Sequence, residues 1–165
     1  MKVENIKIDK SLLKSFKIYT QTNITKATIQ IINSFIPFIA IWILMYFSLD
    51  YSYWITFLLG IVNAFFLVRI FIIQHDCGHR TFLDNSKARA IIGYICSIFS
   101  TIPFHYWAKS HHLHHSHNGQ LELRDIGDIN TLTVVEFKAL NAWGRFKYRL
   151  YRSIPVMFVL GPIYY

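Results

Sequence analysis

All eight histidines of this 165-residue chain fall between positions 75 and 117. Neutral imidazole is the side chain that most often binds a transition metal, so a histidine-rich stretch is first tested for ligand spacing. His75-Asp76-Cys77-Gly78-His79 puts two imidazoles at i and i+4, on one face if the segment is helical. His111-His112-Leu113-His114-His115 adds i, i+3 and i+4 relations among His111, His114 and His115, while His112 points about 100° away. The metal-ligand candidates are therefore His75, His79, His111, His114 and His115. Imidazoles without a partner cysteine pair suit iron, zinc, copper or nickel and exclude a hard calcium or magnesium site. The competing readings are interfacial histidines that hydrogen-bond headgroups at 75–79, and a surface tract that picks up metal adventitiously at 111–115.

Several neighbours bear on these clusters. Asp76 is either a carboxylate that orients a ligating imidazole from outside or an exposed cap, and His112 is the other outer candidate. His105 sits in an aromatic run with Phe104, Tyr106 and Trp107 and reads as an interfacial histidine, and His117 as a solvated one. Cys77 and Cys96 lack CxxC spacing, which argues against a disulfide framework, and Cys77 reads as a small apolar packing residue. Glu122, Asp125 and Asp128 read as solvated loop residues ahead of an outer-shell role or a docking patch for a redox partner.

The elements that must carry these residues are apolar. The composition is 53% hydrophobic and 17% aromatic with 16% charged residues, yet the formal charge is +8. A disordered or coiled-coil chain is excluded, and a greasy basic chain points to a membrane protein with basic cytoplasmic flanks, not to nucleic-acid binding. Thr28 to Leu49 carries no charge and is long enough, at about 1.5 Å per residue, to cross a hydrocarbon core of ~30 Å. Tyr53 to Ile73 has Arg69 as its only charge, at a depth from which a long side chain snorkels. Asp50, Tyr51 and Ser52 leave room only for a tight hairpin, with an aromatic belt at its tip.

No lysine or arginine lies at that tip, and Lys2, Lys7, Lys10, Lys14, Lys17 and Lys26 precede the first run. The positive-inside rule then places both hairpin ends in the cytoplasm, with 1–27 as a basic tail and not a signal peptide. Residues 90–104 are too short for a full crossing and are expected to be re-entrant or interfacial, which keeps both histidine clusters on one side. Residues 105–152 are expected in the cytoplasm, with basic and aromatic residues alternating from Lys138 to Arg152 as on a helix lying on anionic headgroups. Residues 154–165 read as the start of a further span. The expected fold is all-α, an integral membrane unit of a transmembrane hairpin followed by interfacial histidine-bearing helices.

These residues carry a resemblance. The hairpin, then His75-Asp76-Cys77-Gly78-His79, then Trp107-Ala108-Lys109-Ser110-His111-His112-Leu113-His114-His115 is similar to the membrane fatty acid desaturase family over roughly residues 30–165. Gly127 to Val134 and Tyr148 to Arg152 resemble its bacterial omega-6 (delta-12) branch. The resemblance implies a non-haem diiron centre, two iron ions that use dioxygen as co-substrate to remove two hydrogens from adjacent methylenes of an acyl chain. It further implies electrons from ferredoxin or a cytochrome, an acyl chain carried on lipid or as a thioester, and a bacterial inner membrane with the clusters on its cytoplasmic face.

The family's third cluster, His-x-x-His-His beyond another pair of spans, does not occur in these 165 residues. Five imidazoles are too few for two irons, so the chain is expected to be the N-terminal portion of a longer enzyme, inactive alone. A His-box hydroxylase or carotenoid oxygenase would share the clusters. A metal transporter or haem anchor would place its ligands inside the spans.

Overall fold

The computed structural model describes residues 15–16, 21–117, 119–120 and 130–160. It is helical, and no strand occurs among the described residues. The basic tail up to Lys14, the acidic residues Glu122, Asp125 and Asp128, and the last five residues of the expected third span lie outside the described residues. The chain divides into two compact units, Met1–His112 and Leu113–Tyr165.

In the first unit, α1 (Ile24–Ser48) and α2 (Tyr53–Gly78) form the hairpin. Asn23 starts α1 by accepting the Lys26 amide at 3.0 Å, four residues ahead of the uncharged run, because an asparagine cap satisfies an amide that the first turn leaves open. Ser52 caps α2 by accepting from Trp54 N, and the Ser48 and Thr56 hydroxyls close the tip at 2.7 Å. Both helices are long and apolar enough to cross a membrane. Their outer faces leave Trp42, Leu44, Phe47, Phe57, Leu58 and Phe65 more than half exposed, a continuous apolar surface that water would not tolerate and lipid does.

Between the two helices the contacts are partly polar. Buried Asn63, its amide turned to satisfy both neighbours, donates to the Phe38 carbonyl at 3.2 Å and accepts the Trp42 indole N–H at 3.1 Å. Arg69 donates to Asn33 Oδ1 at 2.7 Å and to the buried Ser34 hydroxyl at 3.3 Å. Polar side chains that find one another across a hairpin are how spans are held where lipid competes equally for apolar faces.

The real core lies at the open end of the hairpin. Here α3 (Ser86–Ser100) packs on α2, and α4 (Phe104–His117) follows after a three-residue turn. Ile70, Ile73, Cys77, Phe82, Cys96 and Phe104 are buried together, with Phe99 edge-on to Phe35 and Phe38. Gly93 makes this possible, since a Cβ there would lie 2.5 Å from the Phe104 ring.

At 15 residues, about 22 Å, α3 is shorter than a span. Its exit is pinned to α2: the Ser100 hydroxyl donates to Gln74 Oε1 at 2.6 Å and Gln74 Nε2 donates to the Ile102 carbonyl at 3.0 Å. Thr101 between them is left-handed at φ 58°, a conformation that a β-branched residue adopts only when its surroundings impose it. That turn aims α4 back along the end of α2.

In the second unit, α4 continues to His117, and after it come α5 (Val134–Ala139), α6 (Ala142–Tyr151) and a π-helical turn at Val156–Leu160. Thr133 and Glu136 form a reciprocal capping box on α5, as expected of a threonine three residues ahead of a glutamate.

Candidate metal centre

His75 and His79 lie at the last turn of α2 and its cap. The helix closes with Thr81 N–H on the Asp76 carbonyl and Arg80 N–H on the Cys77 carbonyl, with Arg80 left-handed at φ 64°. This is a Schellman closure in which arginine occupies the position usually given to glycine. It holds His79 in register one turn above His75, so both rings face one side, as their spacing predicts.

α4 brings His111 to that side. Three Nε2 atoms face one point: His79 to His75 at 3.2 Å, His79 to His111 at 3.1 Å and His111 to His75 at 3.1 Å. A metal with nitrogen bonds of ~2.1 Å spaces adjacent ligand atoms about 3.0 to 3.4 Å apart, from right-angled to tetrahedral arrangements. The triangle fits one face of such an ion. Helix α4 runs unbroken past Leu113, so His115 follows His111 by one turn on the same face of that helix.

The tautomer follows from the surroundings. His75 Nδ1 lies 3.1 Å from Asp76 Oδ1, and a carboxylate only accepts, so the proton sits on Nδ1 and the Nε2 lone pair faces the centre. Asp76 thus stands where an outer carboxylate fixes a ligating histidine. Three imidazole nitrogens converge with one ring so oriented, an arrangement that fits a metal cation.

Trp107 forms the apolar wall. It stacks on His111 at 4.5 Å between centroids and 18° between planes, tilts against His75 at 5.5 Å and meets Phe71 edge-on at 5.3 Å. Gly78 lets it approach, because a Cβ at 78 would lie 3.0 Å from Trp107 Cζ3. Sequence reasoning treated Trp107 only as part of a motif and passed over Gln74. The signals were a tryptophan one turn before His111 and a glutamine adjoining His75 at the end of an apolar run.

The remaining candidates fall elsewhere. His114 faces His115, ring centroids 5.7 Å apart. His112 and His105 are exposed, and His117 lies 3.4 Å from the Ser116 hydroxyl. Cys77 and Cys96 are free and buried, in keeping with packing roles. Burial pushes the Cys96 thiol up to about 12, since a thiolate there would be stripped of water.

Comparison with known proteins gives this arrangement its context. The family model for fatty acid desaturases matches residues 52–165. A fatty acid desaturase of Bacillus subtilis (strain 168) is 42% identical over 155 residues, 94% of this chain and 44% of the relative. An sn-2 acyl-lipid omega-3 desaturase (ferredoxin) of Helianthus annuus is 33% identical over 72 residues, 44% of this chain and 16% of that protein. An acyl-lipid omega-3 desaturase (cytochrome b5) of Arabidopsis thaliana is 40% identical over 53 residues, 32% of this chain and 14% of that protein. The chain thus spans less than half the length of these curated relatives, and no solved structure matches it. With two apolar helices fit to cross a membrane and a histidine group at their open end, the chain belongs to the fatty acid desaturase family.

Proposed function

We propose that this chain forms the iron-binding front part of an acyl desaturase that introduces a double bond into a membrane acyl chain. The observation that carries the proposal is the convergence of His75, His79 and His111 Nε2 within 3.1–3.2 Å of one another, at the end of a helix that lies within the residues matching the desaturase family. His75, His79 and His111, with His114 and His115 further along the same helix as His111, would serve as ligands of a diiron centre completed by a further histidine cluster of the whole enzyme. When bound, the irons supply the activation of dioxygen. Two electrons from the C–H bonds of adjacent methylenes and two from a donor reduce one dioxygen to two waters.

The chain's own residues do the positioning. Asp76 holds the proton at His75 Nδ1 and keeps Nε2 aimed inward, with His112 as an outer neighbour. Trp107 excludes water from one side of the imidazoles, and the hairpin sets the group at the cytoplasmic surface of a bacterial inner membrane, where an acyl chain reaches it without entering water. The donor is a ferredoxin or a cytochrome, the kinds that two relatives carry in their names, and the substrate is an acyl lipid or an acyl thioester.

The test is the fatty acid profile of a bacterial host expressing the full-length protein, with a matched His79→Ala variant. The expected result is a new monounsaturated or diunsaturated chain that disappears in the variant, while the 165-residue chain alone leaves the profile unchanged. A hydroxylated acid in place of the olefin, or an unchanged profile with iron and donor supplied, contradicts the proposal.

A further inference from the structure

The second unit presents a surface that the metal centre does not use. Helix α6 reads Ala-Trp-Gly-Arg-Phe-Lys-Tyr-Arg-Leu-Tyr. Its inward face is fixed by Tyr148, whose hydroxyl accepts the Leu132 amide N–H at 3.0 Å and whose ring lies 5.6 Å from Phe137. It is fixed also by Gly144, where a Cβ would come within 3.2 Å of Leu140.

The opposite face is apolar. At about 100° per residue, Phe146, Leu150 and Trp143 fall within an arc of about 60°, and they are 53%, 50% and 62% exposed. Trp143 and Phe146 stack on each other at 5.5 Å, which holds both rings on that face. Lys147 borders the arc on one side, its Nζ 5.9 Å from the Trp143 ring, and Arg149 on the other, exposed but with its guanidinium carbon 5.6 Å from the Phe137 ring. Arg145 lies well round the helix. Glu136 is the last acidic residue in the sequence, and it is engaged in the α5 cap. The chain then runs into an apolar turn where Phe158 and Val159 are 73% and 60% exposed.

We propose that the Trp143–Phe146–Leu150 face of α6 lies in the headgroup region of an anionic lipid surface, with Lys147 and Arg149 reaching the lipid phosphates on either side. A bare apolar arc bordered by cations on both sides is the pattern of a helix lying in a membrane interface. A protein partner would meet the same rings but would not explain cations on both borders of the arc. The inference goes beyond the desaturase reading and stands whether or not the histidines hold iron.

The test uses full-length protein reconstituted in phosphatidylglycerol–phosphatidylethanolamine vesicles, spin-labelled at Phe146→Cys or Arg145→Cys, with Cys77 and Cys96 buried and any further cysteine replaced by serine. The label at 146 is expected to be relaxed by bilayer-dissolved oxygen and shielded from an aqueous nickel chelate, and the label at 145 the reverse. Equal nickel access at both positions overturns the proposal, and so does shielding of position 146 from oxygen and nickel alike, which means that protein covers it. In pure phosphatidylcholine, or with Lys147→Gln and Arg149→Gln, the oxygen-to-nickel ratio at 146 is expected to fall. An unchanged ratio overturns the anionic preference. Should the cysteine variants not reconstitute, quenching by brominated-chain lipids, compared between the unlabelled protein and Trp143→Phe, reports the same contact. Loss of a quenched component in Trp143→Phe supports the proposal, and no difference overturns it.

Discussion

Trp107 stacks on His111 with ring centroids 4.5 Å apart and planes 18° from parallel, one turn below it on α4. The same indole touches His75, so one side chain of α4 fixes an imidazole on each of two helices. Trp107→Ala is expected to loosen both rings and lower metal affinity about 10- to 100-fold, the range found when an outer group that orients a ligand is removed. Trp107→Phe keeps a stacking ring and is expected to retain most of it. Metal titration followed by absorption spectroscopy checks the pair, and equal affinity in the alanine variant would remove Trp107 from the site.

Gly78→Ala probes the same contact from the other helix. The added methyl would meet Trp107 Cζ3 at 3.0 Å and the Ala108 methyl at 3.4 Å, so the indole must give way by a few tenths of an ångström. The expected outcome is a shifted metal absorption spectrum in protein that still folds. An unaltered spectrum would show that the indole has slack.

Asp76→Asn replaces an acceptor-only carboxylate with an amide that can also donate to His75 Nδ1, and so weakens the preference for the tautomer with Nε2 free. Metal affinity is expected to fall about 10- to 100-fold with the helix content unchanged. Isothermal titration with iron(II) under anaerobic conditions measures it, and an unchanged constant would reduce Asp76 to a surface cap.

Much of this arrangement was legible in the sequence, and the remainder was not for identifiable reasons. The hairpin was plain because two uncharged runs flank Asp50-Tyr51-Ser52, and the i, i+4 spacing of His75 and His79 needed only a continuing helix. The sequence offered His111, His114 and His115 on one helix face, and that His111 is the one whose Nε2 meets His75 and His79 depended on tertiary packing that spacing does not carry. The return of α4 rests on Thr101 at φ 58°, and threonine carries no turn signal. Gln74, fully buried, hid at the end of an apolar run whose polar residue had no visible partner until Ser100 and Ile102 came beside it.

Gln74→Leu should expose that dependence. It leaves the Ser100 hydroxyl and the Ile102 carbonyl without the partners they have at 2.6 and 3.0 Å, at a cost of about 2 kcal/mol. It also frees the turn that directs α4. Lower thermal stability in detergent together with weaker metal binding is expected, and loss of stability with metal affinity intact would show that α4 docks without this strut.

Cys96 gives a pH signature. Its thiol is raised from 9.0 to about 12 by burial, so the folded state keeps the proton more tightly than the unfolded chain. This contribution to stability is whole below pH 9 and is lost as pH rises from 9 towards 12. Alkylation at pH 8.5 is expected to leave Cys96 unmodified in folded protein and to label it after denaturation. Rapid labelling of folded protein would mean that the α2–α3 core opens readily.

The most direct test of the central claim is the metal content of purified full-length protein, measured by mass spectrometry beside His79→Ala and His111→Ala variants of equal helix content. The account predicts bound iron in the parent and a large loss in each single variant, because each removes one corner of a triangle only 3.1–3.2 Å on a side. Iron retained in full by both variants, or a parent that binds none after reconstitution with iron(II), would contradict it.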